Sequence, residues 1–475
     1  MSTSRRRFLK AAAAAAGGAA VGAHSRPGAT AAEAFGSGAV SSSIRPNILY
    51  INSHDTGRFT SPYGYQTSTP NLQKLASEGI CFTQAHCAAP TCSASRASLL
   101  TGQWSHSNGM FGLVNRGFSL NDYEHHILHA LRREANYYSA LIGLQHIAAK
   151  SETIGYDYWQ DIPGNHVEHV TPAAVKFLRN RPRQPFWLEV GYFETHRPYR
   201  IAPTPNARYT RPPEPIPDVP QTRQDMANFH ASLNKLDWGV GQVLAALQEE
   251  GLAENTLVIS ATDHGIAFPD MKAGLYDAGT GAHLVMRGPG GFHGGNVCDA
   301  LISHIDIFPT ICDLLQIRPP EWLQGKSFLP VIHNQAEEIN DAIYAELNYH
   351  ASYEPKRGIR THRWKYIRHY SEYKHPVLPN CDDGPSKTYW VQNGWGTQRV
   401  PSEELFDLVF DPNERNNLAG SVSHQDVLRE MRQKLQLWMK DSSDPILHGP
   451  IPAPHGARVT PPNEVSPTDP ATVIS

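Results

Sequence analysis

The sequence predicts an α/β fold: a large, mostly parallel β-sheet sandwiched by helices, followed by a smaller C-terminal α+β region. Three observations predict it. From Pro46 onward, short apolar runs alternate with amphipathic helical patterns, the order that builds a parallel sheet covered on both faces. Several of the apolar runs end in His or Asp, and open parallel sheets gather function at their strand carboxyl ends. After about residue 335 the texture changes to two-residue alternation and one terminal amphipathic helix.

In chain order, residues 1–31 read as a twin-arginine signal peptide. Ser4-Arg5-Arg6-Arg7-Phe8-Leu9-Lys10 precedes an alanine-rich apolar run to about Ala23, with cleavage after Ala23 or Ala31. Residues 32–45, rich in Ala, Gly and Ser, form a linker, and the main α/β domain spans 46–335. There PNILYINSHD is a buried strand that delivers His54 and Asp55. TPNLQKLASEG is a helix with Pro70 in its first turn, Leu72 and Leu75 on its apolar face and Gly79 as its stop. YYSALIGLQH and QPFWLEVGYFETH are strands that run toward His146 and His196. Met226, Phe229, Leu233, Leu236, Val240, Leu244 and Leu247 keep helical spacing before Gly251, and NTLVISATDHG then repeats the first strand motif with Asp263 and His264. In the 336–445 region, RGIRTHRWKYIRHY alternates like an antiparallel strand pair and EELFDLVFDPNERNN like a strand and turn. Val427, Leu428, Met431, Leu435, Trp438 and Met439 mark a final helix. The Pro-rich tail, 446–475, reads as extended or disordered.

A formal net charge of −3 offers no bulk attraction for nucleic acid or an anionic membrane. No stretch after the signal is long and apolar enough to span a bilayer. The mature chain is therefore expected to be soluble and exported, in the periplasm or outside the cell. An exported chain is free to form disulfides. Of the six cysteines, Cys298 and Cys312 sit in helix-like apolar surroundings and read as buried thiols. Cys81, Cys87 and Cys92 lack the matching downstream pair of a zinc site.

Two kinds of residue carry candidate chemistry. His54-Asp55 and Asp263-His264 leave two strand ends, and carboxylates so placed can converge on one cation; the alternative is that each Asp caps a turn. Within APTCSASRASLLTGQ, Cys92 precedes a short helix over Ser95–Thr101 that carries Arg96. Helix amides and the guanidinium would lower a thiol's pKa and hold an anionic substrate; the alternative is a small buried Cys. His146, His196 and Lys272, each after a strand-like run, complete the set.

CSASRASLLTG resembles the signature of the type I, formylglycine-dependent sulfatases of the alkaline-phosphatase superfamily, Cys-x-Pro/Ala-Ser-Arg followed by Leu-Leu-Thr-Gly. PNILYINSHD, TLVISATDHG, LYDAGTGAHLVMRGPGG, SHIDIFPTICDLLQI and ELFDLVFDPNERNNLA extend the resemblance from about Pro46 to Pro445. SHSNGMFGL and DHGIAFPDMKAGLYDAGT are similar to the heparan N-sulfatase type, which cleaves N-sulfoglucosamine.

The resemblance implies an alkaline-phosphatase-like fold and a catalytic domain over 46–335. It also implies that a maturation enzyme converts Cys92 to formylglycine, whose hydrate attacks sulfur with one hydroxyl and expels sulfate by deprotonation of the other. Asp55 and Asp263 match metal-binding aspartates, with the converted Cys92 on the metal. Arg96 matches the arginine that steadies the diol. His146 matches the group that assists sulfate elimination, and His196 and Lys272 match groups that bind sulfate and protonate the leaving atom.

Three positions depart from the family pattern. His54 stands for the usual Asp, His264 for the usual Asn, and Leu144 for a sulfate-contacting Lys in Gly143-Leu144-Gln145-His146. The family metal is calcium; the two histidines, as candidate ligands, bring in manganese or zinc as alternatives. His106, Asn108 and His350, beside Tyr349, are candidate substrate contacts. The expected activity is hydrolysis of an O-sulfate ester or N-sulfamate, on a sulfated sugar or another small sulfated substrate. The rivals are a phosphodiester or phosphonate monoester hydrolase of the same superfamily and, with Leu144 as its basis, a non-catalytic sulfoglycan-binding protein.

Overall fold

Along the strand Asn47–Ser53, Ile48 and Tyr50 join one core while Leu49 and Ile51 join another, because successive side chains of a strand point to opposite faces. That alternation sets the layers of the molecule, a computed structural model that describes residues 45–475. The signal segment 1–31 and the linker up to residue 44 lie outside the described residues.

The first strands in chain order are β1 (Asn47–Ser53), β2 (Ile80–Phe82), β3 (Ala85–His86), β4 (Tyr138–Gly143), β5 (Tyr158–Gln160), β6 (Phe186–Gly191), β7 (Thr256–Thr262), β8 (Leu284–Arg287), β9 (Asn296–Cys298) and β10 (Ile302–Ser303). Eight of them form one sheet, ordered β5-β4-β6-β1-β7-β8-β2-β9, and β3 pairs with β10. The pairs from β5 through β7 are parallel, whereas β8 runs antiparallel to both β7 and β2. The longer helices are α1 (Pro70–Glu78), α2 (Cys92–Thr101), α3 (Ile127–Ala135), α4 (Val167–Arg179), α5 (Pro220–Glu249), α6 (Ile307–Leu315) and α7 (Gln425–Asp441).

Ile48, Tyr50, Leu257 and Ile259 pack against Ala97 and Leu100 of α2, Leu128 and Leu131 of α3, and Ile311 of α6. On the other face Leu49, Ile51, Leu188 and Val258 meet Leu72 and Leu75 of α1, Val170 of α4, and Phe229, Leu233, Leu236 and Val240 of α5. The predicted spacing in α5 is thus its core stripe, and Leu233→Ala would open a cavity there that costs about 2–5 kcal/mol.

A second, antiparallel sheet follows, made of β11 (Ile343–Tyr349), β12 (Tyr353–Arg360), β13 (Trp364–His369) and β14 (Glu403–Asp407). Ile359, Tyr366 and Leu405 pack under Leu428, Met431, Leu435 and Trp438 of α7, the face that the sequence marked. From the opposite side Leu347, Ile367 and Phe406 press on Ala273 and Leu275, next to Lys272. The small sheet therefore braces a loop of the main sheet.

Three expectations change. The helix after the signature begins at Cys92 itself, not at Ser95. Cys298 lies at the end of β9 and is half-buried, because the edge strand leaves it uncovered; all six cysteines are free thiols. The tail is ordered rather than free. Ile451, Ala457 and Thr460 are buried, Arg458–Val459 pairs with Thr472–Val473, and Tyr349 donates its hydroxyl to Ile451 O at 2.6 Å. Among the described residues no helix is long and apolar enough to cross a membrane.

Candidate active site

Strand register gathers the candidate residues. In the parallel pair β1–β7, Ser53 lies opposite Thr262. His54-Asp55 and Asp263-His264 therefore leave the sheet side by side at its carboxyl edge. Asp55 turns into the left-handed region at φ 53°, a conformation Asp adopts more readily than most residues, and its N–H donates to Asp263 Oδ1 at 2.8 Å. His54 Nδ1 lies 2.8 Å from Asp55 Oδ1 and 3.3 Å from Asp263 Oδ2. His264 hydrogen-bonds Gly265 O through Nδ1 at 2.9 Å, which leaves Nε2 at 3.4 Å from both Cys92 Sγ and Asp55 Oδ1.

The buried helix α2 places Cys92 at its amino end and Arg96 one turn later on the same face. Arg96 donates to Asp263 Oδ2 from Nε at 3.2 Å and Nη2 at 3.1 Å, and Nη2 also reaches Ser53 O at 3.1 Å. Ser95 Oγ donates to Asp263 O at 2.5 Å, which clamps the helix to the end of β7.

The expected lowering of the Cys92 thiol pKa is not found. Burial pushes it well up, and the Asp55, Asp263 and Asp382 carboxylates add to that effect against Lys272. Arg96 spends its charge on Asp263, so an unmodified Cys92 is a poor thiolate.

Lys272 reaches the same place from the braced loop: Nζ donates to Asp55 Oδ2 at 2.8 Å and to Asp382 Oδ2 at 2.7 Å. Burial alone would raise the pKa of Asp55, but Lys272, His196 and His54 overcome it and hold the carboxylate well below its ordinary range. Burial likewise opposes ionisation of Asp263, and His264, His54 and Arg96 outweigh it. His54 is pulled down to about 4, chiefly by burial. Both acids thus stay ionised.

His196 stacks edge-on against His54 at 4.6 Å, keeps 24 % of its side chain exposed, and brings Nε2 to 3.9 Å from Asp55 Oδ2. His146, at φ 58°, lies with its ring 5.5 Å from that of His54, and its buried Nδ1 has no partner among the described residues. Gln145 does not stand in for the missing lysine. Its Oε1 accepts from Ile147 N at 2.6 Å and Ala148 N at 2.8 Å, so it shapes the turn that presents His146. His350, just past β11, is pulled down to about 3 by burial and by the charge of Lys272.

Two predicted substrate contacts lie elsewhere. His106 is buried against Glu346 Oε1 at 2.8 Å and the Trp438 ring at 5.5 Å, inside a network with Arg357 and Asp444. Asn108 caps its own loop, donating to Thr101 Oγ1 at 3.2 Å and accepting from Met110 N at 2.9 Å. Both hold the segment after α2 in place, because the C-terminal sheet covers it. Conversely, Asp382 was missed: it sits in an irregular turn, Asn380-Cys381-Asp382-Asp383-Gly384, with no periodicity to mark it. Among the described residues, the ligand atoms of His54, Asp55, Cys92 and Asp263 lie within 4.8 Å of one another, as do those of Asp55, His196 and Asp382.

The Sulfatase family model matches residues 46–317, and the N-sulphoglucosamine sulphohydrolase C-terminal model matches 267–400. Human N-sulphoglucosamine sulphohydrolase is 28% identical over 464 residues, covering 85% of this chain and 92% of that protein. An Ulvan-active sulfatase of Formosa agariphila is 28% identical over 465 residues, covering 84% and 76%. A protein solved in complex with its substrate D-glucosamine-2-N,6-O-disulfate shares the fold with a TM-score of 0.66 at 20% identity, covering 86% of this chain and 99% of that one. The first family match takes in more than half of the 475 residues, including the two strand ends and the helix that meet around residue 92. The chain therefore belongs to the sulfatase family and is a hydrolase of sulfate esters or sulfamates.

Proposed function

We propose that this sulfatase releases sulfate from a sulfated sugar, as an O-sulfate ester or an N-sulfamate, using a formylglycine made from Cys92 and a divalent cation held by the strand-end residues. The observation that carries the reading is the convergence of Cys92, Asp55, Asp263 and Lys272 in one buried polar site on a carboxyl sheet edge. The relatives named above add the substrate class, since their names and the bound disulfate all concern sulfated sugars. N-sulfoglucosamine is the first substrate to assay, given the family match over 267–400.

The residues fit both groups. Residue 92 opens a helix beside His264 Nε2 and Asp55 Oδ1. Asp55 and Asp263 supply the hard, ionised oxygens that calcium prefers, and His54 and His264 supply imidazoles that suit manganese or zinc. When present, the cation polarises sulfate oxygens and the formylglycine supplies a nucleophile that elimination restores.

The remaining work falls to the chain's own side chains. Arg96 fixes Asp263, and with it the end of β7, beside residue 92. Lys272 and His196 face the Asp55 side of the pocket and hold sulfate oxygens there. His196, the more exposed, gives a proton to the departing oxygen or nitrogen, while the free Nδ1 of His146 takes one at residue 92. His350 lines the substrate side near Lys272. A periplasmic or extracellular location, after twin-arginine export, belongs to the same reading and rests on Ser4–Lys10.

The test uses protein made with the maturation system. Sulfate release from N-sulfoglucosamine and from glucosamine 6-sulfate is compared with turnover of an aryl phosphate diester, and the peptide across residue 92 is weighed. Sulfate release with an aldehyde at residue 92 is expected. Diester turnover alone, or activity with an intact thiol, overturns the reading.

A further inference from the structure

We propose that Asp382 is a positioning residue of this active site: its carboxylate holds the Lys272 ammonium in the sulfate pocket, so the Asn380–Gly384 turn of the C-terminal region completes the site. The inference rests on the reading that Lys272 contacts sulfate oxygens.

Lys272 is a point charge on a flexible four-carbon stem, so one partner does not fix it. With Asp55 alone it would be free to swing away from the pocket. Asp382 Oδ2 at 2.7 Å on one side and Asp55 Oδ2 at 2.8 Å on the other hold the nitrogen between two carboxylates. The three side chains are 1 %, 13 % and 0 % exposed for Lys272, Asp382 and Asp55, so little water competes.

The turn has anchors besides Asp382. Asn380 donates to Glu354 Oε2 at 2.9 Å and accepts from Ser352 N at 2.8 Å. Lys387 Nζ donates to Cys381 O at 2.7 Å and to Asp383 Oδ1 at 2.8 Å, and Ser386 N donates to Asp225 Oδ2 at 3.1 Å. Ser466 of the tail donates to Asp383 Oδ2 at 2.5 Å. These contacts anchor the turn on several sides, while the Asp382 side chain points to Lys272.

A carboxylate beside an anionic substrate opposes binding, so its benefit must lie in orientation. That separates the effect on turnover from the effect on binding. In matured full-length protein, with rates corrected for the aldehyde content at residue 92, Asp382→Asn is expected to lower kcat about 10- to 100-fold while KM stays level or falls. Asp382→Glu should recover part of the loss. In a Lys272→Met background, Asp382→Asn should change kcat less than about twofold, because its partner is gone. If Lys272→Met is too slow to follow, protection against heat by inorganic sulfate is measured in all four proteins. Asp382→Asn should then alter that protection only where Lys272 is present. Wild-type kcat in Asp382→Asn, an equal loss in both backgrounds, or a raised KM with unchanged kcat overturns the proposal. Full activity of Lys272→Met overturns instead the reading of Lys272 on which the proposal rests.

Discussion

The backbone N–H of Asp55 donates to Asp263 Oδ1 at 2.8 Å across 208 residues of chain. Asp263 also accepts from His264 N at 3.0 Å and from Arg96 at 3.1 Å, so one carboxylate ties two strand ends and the signature helix together. It is both a candidate metal ligand and a structural rivet.

Asp263→Ala should therefore cost stability as well as activity. It strands the buried Arg96 charge, and removing one partner of a buried pair typically costs about 3–5 kcal/mol. Urea denaturation reads this directly. A loss below about 1 kcal/mol would show that Arg96 finds another partner.

Cys92→Ala should abolish sulfate release, by at least about a thousandfold, since no other group offers the same chemistry. The fold should lose only about 1 kcal/mol for one small buried side chain. Assay and thermal denaturation of the same preparation separate the two effects.

Chelation should remove activity, and a divalent cation should restore it. Calcium is the expected restorer; recovery with manganese or zinc alone would assign the ligand role to His54 and His264. Asp55→Ala should fail to recover with any of them. Metal content per chain, measured alongside activity, decides between the cations.

His106→Ala should destabilise the protein by about 2–4 kcal/mol, because it leaves Glu346 and Arg357 in an unbalanced buried network. Its kcat/KM should stay within about threefold of wild type, since the side chain is engaged by Glu346 and the Trp438 ring. A tenfold rise in KM without loss of stability would return His106 to the substrate site.

His126 and His283 are held neutral by burial, each pulled down to about 3. In the unfolded chain they titrate near 6.5, so below that pH the unfolded state takes up protons that the folded state refuses. The stability they confer is full above pH 6.5 and drains away as pH falls toward 3, by about 1.4 kcal/mol per pH unit for each. Between pH 6.5 and 4.5 the unfolding free energy of His283→Gln should fall about 1.4 kcal/mol per pH unit less steeply than that of wild type. Parallel curves would show that His283 does not stay neutral.

Much of this protein was legible because its signals are local. The apolar run of β1, the spaced leucines of α5 and the face of α7 follow from periodicity, which depends only on neighbours in the chain. The signature helix was legible over Ser95–Thr101, whereas its start at Cys92, which sets Cys92 and Arg96 one turn apart on one face, was decided by the structure. Tertiary structure alone decided which polar residues meet. Register across β1 and β7 joined the two Asp–His pairs, Glu346 of the C-terminal sheet engaged His106, and Thr101 and Met110 engaged Asn108. The C-terminal region brought Asp382 across 110 residues to Lys272. Local periodicity reports the direction of a side chain about its own element, whereas its partner and its share of water are set by packing between elements distant in sequence. The pKa of Cys92 shows the difference: its helix position suggested a thiolate, and burial among three carboxylates reversed the sign.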